Sequence, residues 1–278
     1  MFRLLNIELH KLKHSRASKV LIITYFVLLT ATALIAAIKF DIGPIKFHLA
    51  EMGIFNFPYI WHLNTWLSST LKFFLLLVIV SMMANEYSNK TLKQNLIDGL
   101  SKKEFILSKF YTVIGFALIS TVFVFIVSLV LGLIYSDFNE VPIIFSDLEY
   151  MLAFFIKLVG FFSFGLFMGI LIKRSAFAVA GVLVWFFIEN IFRGFLFWKV
   201  SQDGDVVNRF MQFLPLESMT NLIKEPFTKL SAVRSLASQV GEDLTKDFSV
   251  HFTDIAIVSI WTVLFIYLSY KLLKRRDL

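Results

Sequence analysis

Six apolar runs, each close to the length a helix needs to cross a bilayer, constrain this chain more than any other feature. They cover residues 20–38, 63–83, 111–135, 150–172, 176–196 and 251–272. A membrane-spanning helix takes about 20 mostly apolar residues. In lipid every backbone polar group must be paired inside the protein, and a helix achieves this within one segment. Charged residues make up 17% of the 278 and hydrophobic ones 58%, whereas a soluble domain carries about a quarter charged residues. The expected fold class is an all-α integral membrane protein with six transmembrane helices, an N-terminal interfacial helix and a cytoplasmic helix between spans two and three. Residues 1–278 read as a single transmembrane domain. The first run has Ala31-Thr32-Ala33 as a possible cleavage signal. It is longer than the 7–15 residues, roughly, of a signal-peptide core, so it is expected to remain as the first span.

Lys and Arg orient the spans. Segments 1–19, 84–110, 173–175 and 271–278 hold 5, 5, 2 and 4 of them. All four segments share one side if six spans alternate. Segment 136–149 has none, and carries Asp137, Glu140, Asp147 and Glu149 instead. Both termini are therefore expected in the cytoplasm of a multi-pass plasma-membrane protein. The net charge of +7 belongs to span ends and does not indicate nucleic-acid binding.

Segment 85–110, NEYSNKTLKQNLIDGLSKKEFILSKF, is a polar, basic stretch between two apolar runs. Ser88 or Asn89 is placed to cap a short helix through Ile97, with Leu92, Leu96 and Ile97 on one side. Gly99 suits the helix end, where a left-handed residue is common. Ser101 and Glu104 then have the spacing of a capping box, which starts a helix running into the third span. Ser146 and Glu149 repeat that spacing ahead of the fourth. The short helix has two uses open to it: docking in a partner's groove, or lying on lipid headgroups, which its lysines also favour. In the first 19 residues, Phe2, Leu5, Leu9 and Leu12 share a stripe, with Arg3, Lys11, Lys13 and Arg16 free for headgroups.

These features together resemble the permease subunit of bacterial ATP-binding-cassette (ABC) transporters of the second export type. The cytoplasmic loop of that family has an acidic residue, a Thr-Leu pair, a Gly/Pro-Leu-Ser-Lys/Arg turn and then a Lys. Here these are Glu86, Thr91-Leu92, Gly99-Leu100-Ser101-Lys102 and Lys109. The N-terminal segment resembles the family's elbow helix with its Glu-x-x-Lys pair, Glu8 and Lys11, and the ending KRRDL from Lys274 resembles a common end of these permeases. The resemblance implies that the short helix couples to a separate ATP-binding subunit. Contacts are then expected at Glu86, Thr91, Leu92, Leu96, Ile97, Gly99 and Leu100. It also implies a second permease subunit, identical or similar, and places ATP and Mg in the partner, with no cofactor in this chain.

Four charges interrupt the spans: Lys72, Lys157, Glu189 and Arg193. Each costs roughly 2.5–3.5 kcal/mol at mid-membrane on insertion scales. Counted along the spans, all four fall in the outer half. Glu189 and Arg193 have the i,i+4 spacing of a helical ion pair, which leaves the two lysines in excess. They read either as a net-positive lining for an anionic cargo or as snorkelling side chains plus a structural pair. Gly165-x-x-x-Gly169 permits close helix packing, expected inside the chain rather than between copies. The long segment 199–249 is external and can form short amphipathic helices around Pro215 and Pro226.

Enzyme chemistry finds no support. The chain has no cysteine, no G-x-x-x-x-G-K-[ST] phosphate loop and no H-E-x-x-H. Its histidines, His10, His14, His48, His62 and His251, are scattered, although His48 and His62 can meet in the first outer loop. Two other readings stand beside the permease. One is a stand-alone transporter or channel using the intramembrane charges; the other is a membrane anchor recruiting a partner that is not an ATPase.

Overall fold

A computed structural model describes residues 2–35, 40–42, 45–47, 53–229 and 247–276. The order is α1 (Phe2–His14), α2 (Arg16–Ile35), β1 (Phe40–Ile42), β2 (Ile45–Phe47), α3 (Tyr59–Thr70), α4 (Lys72–Ser88), α5 (Thr91–Ile97), α6 (Lys102–Tyr135), α7 (Val141–Ile144), α8 (Glu149–Ile172), α9 (Ser175–Lys199), α10 (Gly204–Met211), α11 (Pro215–Asn221) and α12 (Phe252–Arg275). The two three-residue strands form a small antiparallel hairpin after α2. The molecule is thus overwhelmingly helical. Among the described residues, five helical segments are long and apolar enough to cross a membrane; a sixth is added if the bent pair α3 and α4 is one span. His48 and residues 230–246 of the long segment 199–249 lie outside the described residues.

The second apolar run is broken. α3 and α4 meet at Leu71 with a bend of 44°. No proline or glycine is involved. Three hydroxyl residues in a row, Ser68-Ser69-Thr70, precede the break. Ser69 Oγ donates to Trp66 O at 2.8 Å and Thr70 Oγ1 to Leu67 O at 2.7 Å. Hydroxyls that bond back onto helix carbonyls compete with the backbone ladder and bend helices.

α8 is the central pillar, packed by α3, α4, α6, α9 and α12. Its small residues allow this. A Cβ on Gly165 would strike Leu76, and one on Gly169 would lie 3.0 Å from Met83 Cβ, both on α4. The glycine pair therefore serves packing within the chain, as expected. Gly160 meets Val258 and Thr262 of α12 and Met219 of α11 in the same way. Gly169→Val is expected to destabilise the fold by about 1–3 kcal/mol through overpacking, read as a lowered thermal midpoint of the detergent-solubilised protein. An unchanged midpoint would show that α4 yields freely here. α9, by contrast, exposes Phe177, Phe187, Ile191 and Trp198 along its length.

Candidate functional site

The polar segment folds by local rules. Ser101 Oγ accepts from Glu104 N at 3.1 Å, and Glu104 Oε2 accepts from Ser101 N at 2.9 Å. This capping box opens α6, which runs unbroken for 34 residues. At about 1.5 Å per residue that length exceeds a hydrocarbon core of about 30 Å, so α6 carries its polar first turns beyond the apolar layer. Gly99 closes α5 at φ 94°. Its N–H donates to Leu96 O, and Leu100 N–H donates to Asn95 O at 3.0 Å. That bond pair is the Schellman motif.

The start of α5 differs from expectation. Neither Ser88 nor Asn89 caps it. Lys90 occupies the cap position in a left-handed conformation, with no side-chain cap bond. Ser88 Oγ instead donates back to Ala84 O. Ser146 likewise donates to Ile143 O, and Leu148 stands at the cap of α8 without a side-chain bond, so no capping box forms there.

The centre of the site is a charge cluster that joins four helices. Lys109 of α6 is 0% exposed and its Nζ lies 2.6 Å from Glu8 Oε2 of α1 and 2.5 Å from Glu86 Oε1 of α4. Lys11 of α1 reaches the same Glu86 oxygen at 2.7 Å. Glu86 Oε2 accepts from Thr91 Oγ1 at 2.5 Å and from Asn95 Nδ2 at 3.5 Å, both on α5. Two carboxylates and two ammonium groups therefore balance, with Glu8, Glu86 and Lys109 buried and Lys11 a third exposed. Beside it, Lys11, His14, Ser15, Asn85, Asn89 and Thr91 line an open groove of about 380 Å³. Short charge-assisted bonds of this kind are stronger than neutral ones, and they make α5 rigid with respect to α1, α4 and α6.

This cluster corrects two assignments. On α1 the inward face carries Glu8 and Leu12, while Leu9 is 49% exposed. Glu8 follows Leu5 by one turn just as Leu9 does, and the buried Lys109 draws in the carboxylate. On α5, Leu92 is 2% exposed and packs into the molecule's own core, and Glu86 is equally buried. Both side chains are engaged within the chain in this arrangement. Thr91, Leu96 and Leu100 are half-buried, while Gly99 and Ile97 are open, Ile97 at 69%. Lys93, one turn before that isoleucine, and Lys90, at the start of the helix, are exposed as well.

Arg276, from the KRRDL run, also acts here. Arg276 donates to Tyr87 OH at 3.1 Å, to Leu171 O at 2.9 Å and to Ile170 O. A cation thereby satisfies carbonyls at the end of α8, where helices leave acceptors free. Lys102 Nζ holds the same tail through Arg276 O at 2.9 Å. No sequence pattern pointed to these carbonyls; they are set by tertiary packing.

The intramembrane charges separate into two groups. Glu189 and Arg193 are not paired with each other. Glu189 accepts from Leu216 N at 3.0 Å, Glu217 N at 3.0 Å and Trp185 Nε1 at 2.7 Å. Arg193 pairs with Glu217. The i,i+4 pair is overturned because the start of α11 offers Glu189 better partners, and Glu217 is then free for Arg193. Arg193 and Glu217 join Arg209, Lys224, Asp247 and Asp254 around an open basin of about 860 Å³. Asp247 is held down at about 2 by the Ser249 hydroxyl and amide that it accepts from. His62, fully buried, brings Nε2 to 2.8 Å from Lys224 O and stacks on Tyr150 with centroids 4.2 Å apart. Lys72 and Lys157 form the second group, deeper in the bundle. Lys72 Nζ sits 4.5 Å from the ring centre of Phe161, and Lys157 is 3% exposed. No group of metal-binding side chains occurs among the described residues.

No curated protein matches the chain. One family model does, over residues 54–278, which takes in every helix from α3 onward and leaves Glu8 and Lys11 outside its span. The chain accordingly belongs to the family described as protein of unknown function, DUF2705.

Proposed function

We propose that the chain is the membrane-spanning permease subunit of an ATP-driven ABC exporter. In this reading α3 and α4 count as one bent span, giving six in all, with both termini in the cytoplasm of a plasma membrane. A separate ATP-binding subunit supplies ATP, Mg and hydrolysis, and a second permease subunit completes the assembly. The observation that carries the reading is the Glu8–Lys109–Glu86 cluster. It ties the short helix α5 to the elbow helix and to two spans, so that a push on α5 moves the spans with it. A free surface loop has no need of such a mounting.

The exposed side of α5 defines the partner's chemistry. Ile97 stands open one turn after the exposed Lys93, and Lys90 and Lys103 are exposed before and after the short helix. A partner groove with an apolar floor and an acidic rim fits this pattern. Ile97→Asp is expected to weaken co-purification of a co-expressed ATP-binding subunit at least about tenfold, since burying an isoleucine contributes about 1.5–3 kcal/mol. The permease subunit itself should fold unchanged, because Ile97 touches little of its own chain. Equal recovery of the partner with the variant would overturn the docking assignment. Failure of any such subunit to co-purify with the wild type would overturn the permease reading.

A further inference from the structure

The second apolar run breaks where its one charge lies. Lys72 is the first residue of α4, and the preceding Leu71 provides no side-chain cap. A cation at that end of a helix faces the positive pole of the macrodipole, so α4 itself does nothing to hold it. Its ammonium lies over Phe161, and one turn earlier on the same face of α8 is Lys157. The ring that Lys72 covers and Lys157 are four residues apart on α8, which puts both lysines at one patch of the bundle. Among the described residues, neither has a carboxylate, hydroxyl or carbonyl partner.

Three other buried or half-buried charges in the bundle are matched. Lys109 lies between two carboxylates, Glu189 receives three donors, and Arg193 has Glu217. Lys72 and Lys157 depart from this pattern. Two cations set side by side in an apolar layer without an acceptor are suited to an anion that comes and goes, because two charge-assisted contacts on one head group offset their repulsion. The approach is lateral. Lys72 is partly exposed and its neighbour Phe73 is 40% exposed. The polar basin is lined by other residues. A ligand arriving this way brings an apolar body with it.

We propose that Lys72 and Lys157 hold the anionic head group of an amphiphile, phosphate-like in chemistry, at the break between α3 and α4. As to its being cargo rather than a resident lipid, the proposal depends on the permease reading above. The binding itself does not.

The test uses the purified full chain in detergent, without any ATPase, examined by native mass spectrometry. Phosphatidylglycerol and phosphatidylcholine with identical acyl chains are offered in turn, and inorganic phosphate is added as competitor. Wild type should retain phosphatidylglycerol in preference to phosphatidylcholine. The double variant Lys72→Met/Lys157→Met should lose about tenfold or more of that preference, and the Lys→Arg pair should keep it. Lys199→Met, at an exposed lysine resting on Trp198, should change nothing. Equal retention of the two lipids, or an unchanged preference in the double Met variant, would overturn the site. Displacement of the lipid by inorganic phosphate would assign the site to a free anion and overturn the amphiphile. Because no ATPase is present, failure here leaves the docking test on Ile97 untouched, and failure there leaves the lipid result standing.

Discussion

Lys109→Met is expected to destabilise the protein by about 3–5 kcal/mol, the range for removing one partner of a buried ion pair. Methionine keeps the length and most of the volume, so the loss is electrostatic rather than a cavity. Glu8 Oε2 would lose its 2.6 Å partner. Among the described residues, only Ser108, at 3.5 Å from the other oxygen, and Lys11, at 3.8 Å, would remain near that carboxylate. Glu86 would fare better, because Lys11 at 2.7 Å and Thr91 at 2.5 Å still serve it. The asymmetry gives a sharper expectation. Adding Glu8→Gln to Lys109→Met should recover a larger part of the loss than adding Glu86→Gln, a coupling that a double-mutant cycle measures. Thermal or denaturant unfolding of the detergent-solubilised protein reads both. A single variant within about 1 kcal/mol of wild type would mean that the cluster is hydrated and of the weak surface kind.

The parts of this molecule legible in its sequence are those decided by near neighbours. The Ser101–Glu104 box and the left-handed Gly99 are set within four residues, and both form as read. The apolar runs are legible for the same reason: length and composition alone decide them. The misreadings occur where a distant residue outbids a local pattern. Leu9 fits the apolar stripe of α1, yet Lys109, about a hundred residues away, makes Glu8 the inward residue. Leu92 looks like an anchor for a partner, but on this chain its nearest apolar surface is the core itself. The break at Leu71 carried a local signal, the run of three hydroxyl residues, and a hydropathy pattern averages over it.

Glu189→Ala is the second large effect, expected at about 3 kcal/mol from the donors it strands, with Glu189→Gln costing roughly half as much because one oxygen still accepts. The reasoning begins at α11. Its cap position is Leu214, which has no acceptor in its side chain, and its first residue, Pro215, has no N–H to satisfy. The next two N–H groups, on Leu216 and Glu217, need an acceptor, and Glu189 of α9 supplies both oxygens from 27 and 28 residues away. Its carboxylate is the N-cap that the local sequence lacks, held in place by Trp185. Were Glu189 instead the partner of Arg193, the reverse substitution would be equally harmful, since Arg193→Gln would leave a buried carboxylate alone. The Arg193–Glu217 pair is 40% and 21% exposed, and pairs of that kind contribute about 0–1 kcal/mol. The ratio of the two effects is therefore the diagnostic quantity: a large loss for Glu189→Ala beside a small one for Arg193→Gln supports the capping role, and equal losses would restore the ion pair that the spacing alone suggests.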